Sequence, residues 1–155
     1  MGNMDKTNEQ FFRVKRWHRR LEEINNGKIH DRESDYYEDI LYAFFQNCYH
    51  LKDWIINSGA LAKDVIDNFI NSNTDLMICR DLCNGSKHLK INNPSIDKNI
   101  IVNRREYSMS IGGGPTKIEV CYWIHAGKYL VNAFDLATNC VVQWEAFLKS
   151  RNLIN

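Results

Sequence analysis

Cys79-Arg80-Asp81-Leu82-Cys83-Asn84-Gly85-Ser86-Lys87-His88 is the stretch on which the fold turns. It follows Ser72-Asn73-Thr74-Asp75, a run of side chains that cap helix N-termini. Leu76, Cys79, Leu82, Cys83, Ser86 and Leu89 recur at three- and four-residue steps. At ~100° per residue they form one small, apolar helix face. Arg80, Asn84 and His88 line up beside that face within an arc of about 80°, and Lys87 falls next to Arg80. A cation, an amide and an imidazole in a row make a candidate anion site. The same letters admit a second reading. Asn84-Gly85 is a good helix stop, with Gly taking the left-handed position after the last turn. A Gly kept inside a helix costs ~1 kcal/mol relative to Ala. On that reading Ser86-Lys87-His88 begins a loop and His88 is an ordinary polar residue.

Toward the N-terminus the pattern is helical throughout. Between Glu9 and Asn26, Phe11, Val14, Trp17, Leu21 and Ile24 keep a helical period, and Asn25-Asn26-Gly27 ends it. The other face carries Arg13, Lys15, Arg16, Arg19 and Arg20, with no acid until Glu22. Such a run is either a solvated helix face or a track for a phosphate backbone, with Arg13, Arg16, Arg19 and Arg20 as its RNA contacts and Lys87 adding charge. Asp31 to Ser58 reads as the longest helix, with acids crowding its first turns, where they favour the helix dipole. Tyr37, Leu41, Phe44, Cys48, Leu51 and Ile55 form a heptad-like seam, widened by Phe45, Tyr49 and Trp54. That girth suggests either a homodimer surface or a face covered by the rest of the chain. His50 lies off the seam, either exposed or facing a polar groove with Asp53. After the break at Ser58-Gly59, Leu61, Val65, Ile66, Phe69 and Ile70 make a shorter amphipathic helix to about Asn71.

Beyond Asn92-Asn93-Pro94 the period changes from 3.6 to 2. Ile100-Ile101-Val102, then Tyr107, Met109 and Ile111, then Ile118, Val120, Tyr122 and Ile124 read as strands. Gly112-Gly113-Gly114-Pro115-Thr116 joins strand to strand, so it is a hairpin turn and not a phosphate loop. His125-Ala126-Gly127 makes a second turn before Tyr129-Leu130-Val131. A last helix from Asp135 to about Arg151 carries Leu136, Cys140, Val141, Trp144, Phe147 and Leu148. It can cover one face of the sheet or rejoin the bundle. The expected fold is α+β in a single domain, 1–155: a helical bundle over 9–91, about three antiparallel strands over 99–133, and a helix over 135–151.

Composition narrows the function classes. The 155 residues are 44% apolar and 25% charged, with a formal net charge of +1. That describes a soluble globular chain with no global field toward nucleic acid or membrane. No apolar run approaches the ~20 residues a membrane span needs, and the first residues lack the apolar core of a secretion signal. The five cysteines, Cys48, Cys79, Cys83, Cys121 and Cys140, are odd in number and scattered. They suggest free thiols in a reducing cytoplasm. Cys79 and Cys83 are placed i, i+4 and could share a metal with His50 or His88. No CxxC or HxxxH supports this, so no metal or other cofactor is expected.

A helical bundle with Arg80, Asn84 and His88 near the end of one helix resembles the HEPN superfamily. The resemblance covers roughly residues 9–91. The family's motif is an Arg, four to six residues, then a His. Here seven residues separate Arg80 from His88, and Cys83 stands before Asn84 where the family most often has its Arg. The resemblance implies a compact, often dimeric helical domain, and a metal-independent endoribonuclease of the kind found in bacterial toxin and anti-phage systems. It implies His88 as acid/base, Arg80 as phosphate clamp and Asn84 as a positioning group, with two copies meeting across a dimer. Such chemistry is sound without metal, since His titrates near neutrality and the Arg fork holds phosphate in two places. The other function class is a catalytically inactive HEPN-like subunit that dimerises or holds a partner protein. A third is a small-molecule sensor with its pocket between sheet and bundle.

Overall fold

A computed structural model describes residues 3–26, 28–29, 34–88, 91–110, 112–114 and 117–155. The element order is α1 (Asn3–Asn25), β1 (Lys28–Ile29), α2 (Ser34–Asn57), α3 (Lys63–Asn71), α4 (Thr74–His88), β2 (Ile101–Ser110), β3 (Lys117–Ala126), β4 (Tyr129–Asn132) and α5 (Ala133–Ser150). The mixed α+β architecture is as expected, with the switch after Pro94. Residues 31–33, part of the acidic start expected for α2, and Leu89 lie outside the described residues.

The bundle is organised around α2, which α1, α3, α4 and α5 all touch. Tyr37, Leu41, Phe44, Phe45, Cys48, Leu51 and Ile55 are all buried. Of the residues that widen the seam, Phe45 is buried and Tyr49 and Trp54 are half-buried, with Phe44 beside His18 of α1 and Trp54 beneath the Arg13 guanidinium. From α1 come Phe11, Val14, Leu21 and Ile24, and from α3 come Ile66 and Ile70. The helix α5 does both things its sequence allowed. It touches α1, α2 and α4, and it also touches β3 and β4. Its Trp144 is buried, and Phe147 stacks on Phe69 at 4.0 Å between ring centres.

In the sheet β3 is central. Along one edge it pairs antiparallel with β2, with a register shift between Val102 and Arg104. Its other edge holds β1 at one end and β4 at the other. Val120, Tyr122, Ile124 and Ala126 are buried while Glu119 and His125 are exposed, the alternation of a half-buried strand. The two-residue β1 was not expected, because two residues carry no readable period. The second turn is Gly127-Lys128, since His125 and Ala126 stay in β3. Gly127 has φ 59°, a left-handed value that Gly adopts without strain. In α5, Asn132 caps the N-terminus by accepting from the N–H groups of Phe134 and Asp135 at 2.9 and 3.1 Å. Among the described residues no helix is long and apolar enough to cross a membrane.

Candidate functional site

The helix α4 does not stop at Asn84-Gly85; it runs through Gly85 to His88. The reason lies in what crosses it. A Cβ on Gly85 would stand 3.5 Å from Ile91 and 3.6 Å from Ile100, so the chain after α4 folds back over this point. Tertiary packing keeps the helix going where local propensity would have ended it.

On the next turn back, Asp81 is fully buried, and its carboxylate accepts three backbone N–H groups. Oδ1 takes Ser95 at 2.8 Å, and Oδ2 takes Ile96 at 2.6 Å and Asp97 at 3.0 Å. Arg80 reinforces the same clasp. Its Nε donates to Ser95 Oγ, and its Nη2 donates to Asn71 Oδ1 of α3 at 2.9 Å. Asp97 continues the chain of bonds into the sheet, accepting from the N–H groups of Asn99 at 2.9 Å and Gly127 at 2.7 Å. Those two N–H groups hold its carboxyl below the usual carboxylate range. Bundle, loop and β3–β4 turn are thus tied by two aspartates and one arginine.

Asn84 and His88 lie one and two turns beyond Arg80. With Ile91, Asn92 and Asn93 they line an open groove of about 500 Å³. Among the described residues Arg80 is not part of that lining. His88 and Lys87 are exposed in the last turn of α4, where cations offset the partial negative charge of the helix end. That same partial charge opposes an anion brought to this end. The structure therefore groups Asn84 with His88, leaves Lys87 exposed in the last turn of α4, and commits Arg80 to Ser95 and Asn71.

The arginines of α1 separate in the same way. Arg13 donates to Gln10 Oε1 at 2.8 Å and Glu9 Oε1 at 3.0 Å, and stacks 5.2 Å over Trp54. Arg16, Arg19 and Arg20 instead converge with Glu23, Tyr36 and Ile40 on a groove of about 290 Å³ between α1 and α2. Arg20 lies 4.4 Å over the Trp17 ring. Tyr36 is 47% exposed, a large aromatic surface beside three cations. His50 is exposed and also lines a groove of about 410 Å³ with Lys6, Asp53, Trp54, Asn57 and Ser58.

All five cysteines are free thiols. Cys83 approaches His50 Nε2 at 3.9 Å, but burial pushes its thiol up to about 11, so it remains an inert thiol. Cys79 does not share a cluster with Cys83. It meets Cys48 of α2 and Cys140 of α5, all three sulfurs lying within 4.8 Å of one another in the core. The neighbouring sulfurs of Cys140 and Cys79 draw Cys48 below the ordinary thiol value, whereas burial pushes Cys79 and Cys140 well above it. Among the described His, Cys, Asp and Glu side chains, this is the group able to hold a metal.

Comparison with family models, curated proteins and solved structures finds no match to this chain. Sequence reasoning missed Asp81 and Asp97. A carboxylate in mid-helix reads as solvated, yet one signal was present. Ile78 and Gly85 stand three before and four after Asp81, marking a second buried face of α4.

Proposed function

We propose that this chain is a HEPN-like RNA-binding subunit that does not cut RNA through the Arg80–His88 pair. The observation that carries the reading is the convergence of Arg16, Arg19 and Arg20 with the exposed ring of Tyr36 on one groove. Cations that track phosphates beside an aromatic platform for a base suit a single strand. Arg80, the cation the motif would need, already donates to Ser95 and Asn71 and helps hold the fold. Five free thiols accord with a reducing cytoplasm. A toxin or phage-defence setting, a homodimer or a protein partner would all be compatible with such a subunit.

The test is fluorescence anisotropy of a labelled mixed-sequence single-stranded RNA. Three phosphate contacts should give a slope of log affinity against log salt near about −2. Arg16→Gln, Arg19→Gln and Arg20→Gln should each weaken binding and shallow that slope, while His88→Ala leaves both unchanged. Absence of saturable binding at low salt, or equal binding by the triple variant, sinks the proposal.

A second reading, the metal-independent endoribonuclease, is favoured by one observation: Asn84 and His88 share an open groove. It requires the phosphate clamp to come from a group other than Arg80. Cleavage in excess chelator, with 2′,3′-cyclic phosphate ends, lost in His88→Ala and retained in Arg80→Lys, is what it demands. Cleavage no greater than that of His88→Ala removes it.

A further inference from the structure

Three helices that lie apart in sequence bring Cys48, Cys79 and Cys140 to one point in the core. None is more than 1% exposed. The geometry points to a three-coordinate thiolate site for a soft monovalent ion of the copper(I) class. A trigonal ion at a metal–sulfur distance of about 2.3 Å holds its sulfurs about 4.0 Å apart, within the 4.8 Å that these three span.

The donor set selects among metals. Among the described residues, no fourth His, Cys, Asp or Glu joins the group. At no more than 1% exposure, the three cysteines present no open position to bulk water. Structural zinc takes four ligands, whereas copper(I) favours soft thiolates and accepts three.

A second observation concerns the indole beside the sulfurs. Trp144 lies one turn beyond Cys140 on α5 and is 1% exposed. Its Nε1–H is buried and meets no acceptor at normal hydrogen-bond geometry among the described residues. An orphaned donor of this kind costs about 1–3 kcal/mol, so a native core normally supplies an acceptor. The Cys48 sulfur is its neighbour. A thiolate there accepts this N–H, as the outer ligands of metal sites do.

The chemistry of loading balances without an oxidant. With the thiols protonated, Cys79 donates to the Phe45 carbonyl and Cys140 to the Asp75 carbonyl, each at 3.5 Å. Each copper–sulfur bond replaces one S–H bond, so three protons leave to solvent as one Cu⁺ enters, and the loaded site carries two negative charges. Copper stays monovalent and no electron is transferred. Both carbonyls belong to helices, so their backbone bonds remain when the thiol protons leave.

The experiment is an anaerobic competition between the full chain and a chromophoric copper(I) chelator. Because the site is sealed, copper is added both to the folded protein and during refolding from urea. One copper per chain is expected, with a thiolate-to-copper charge-transfer band in the ultraviolet. X-ray absorption on the wild type should show three sulfur scatterers at about 2.3 Å. Cys48→Ala, Cys79→Ala and Cys140→Ala should each abolish the retained copper. Cys83→Ser and Cys121→Ser should retain it, and Trp144→Phe should bind about 10-fold more weakly. No copper held against the chelator in either protocol overturns the site. So do fewer than three sulfur scatterers in the wild type, a result that does not depend on any variant folding. Zinc bound in preference to copper overturns the assignment of the metal.

Discussion

Replacing Asp81 with asparagine should destabilise the whole chain, not only the loop it touches. The carboxylate is fully buried and satisfies the N–H groups of Ser95, Ile96 and Asp97. An amide retains one oxygen. Its best orientation keeps that oxygen on Ile96 and Asp97 and turns the NH2 against the N–H of Ser95. One charge-assisted bond, worth about 1.5–3 kcal/mol, is then lost, and two more fall to the ~1 kcal/mol of neutral bonds. Relief from burying a charge offsets part of this, leaving about 3 kcal/mol. At 2–4 °C per kcal/mol for a chain of this size, the melting temperature should fall by about 6–12 °C. The assay is urea unfolding followed by circular dichroism, paired with hydrogen exchange. The amides of residues 95–97 should lose protection in the variant before the amides of α2 do. A loss below about 1 kcal/mol, or unchanged protection at those three amides, would refute the clasp as the joint between bundle and sheet.

Gly85→Ala should stabilise the protein by up to ~1 kcal/mol, because the added methyl meets Ile91 and Ile100 at ordinary contact distances of 3.5 and 3.6 Å; a lowered melting temperature would show that this crossing is tighter than the geometry indicates. Asn132→Ala removes the cap of α5 and should cost about 1 kcal/mol in urea unfolding, with Asn132→Asp retaining most of the stability. His18 is half-buried between Phe44 and Phe134, and burial, opposed by Glu22 and Cys48, lowers its pKa. The unfolded chain therefore binds the proton more readily, so this residue's contribution is intact above pH 6.5 and declines as pH falls from 6.5 through the folded value. Proton NMR of the His18 ring should titrate below the free-histidine value, and His18→Gln should flatten the stability profile across that window.

Periodicity along the chain determined the longer elements by itself, but not the two-residue β1. The 3.6-residue recurrence of Phe11, Val14, Leu21 and Ile24, the seam of α2, and the alternation of Val120, Tyr122 and Ile124 are properties of neighbours a few residues apart. Local burial preference is enough to express them. Pro94 also acts locally, through forbidden backbone angles, so the change from helix to strand was legible. The fate of α4 was not. Asn84-Gly85 carries a true local stop signal, and the packing of Ile91 and Ile100 across Gly85 overrides it. The site residues depended on tertiary structure for the same reason. Arg80, Asn84 and His88 share a helix side, but only the position of Ser95 and Asn71 decides that Arg80 bonds inward while His88 opens to a groove. Three cysteines without a motif become a cluster only when α2, α4 and α5 converge, because spacing along a chain carries no information about which helix faces will meet.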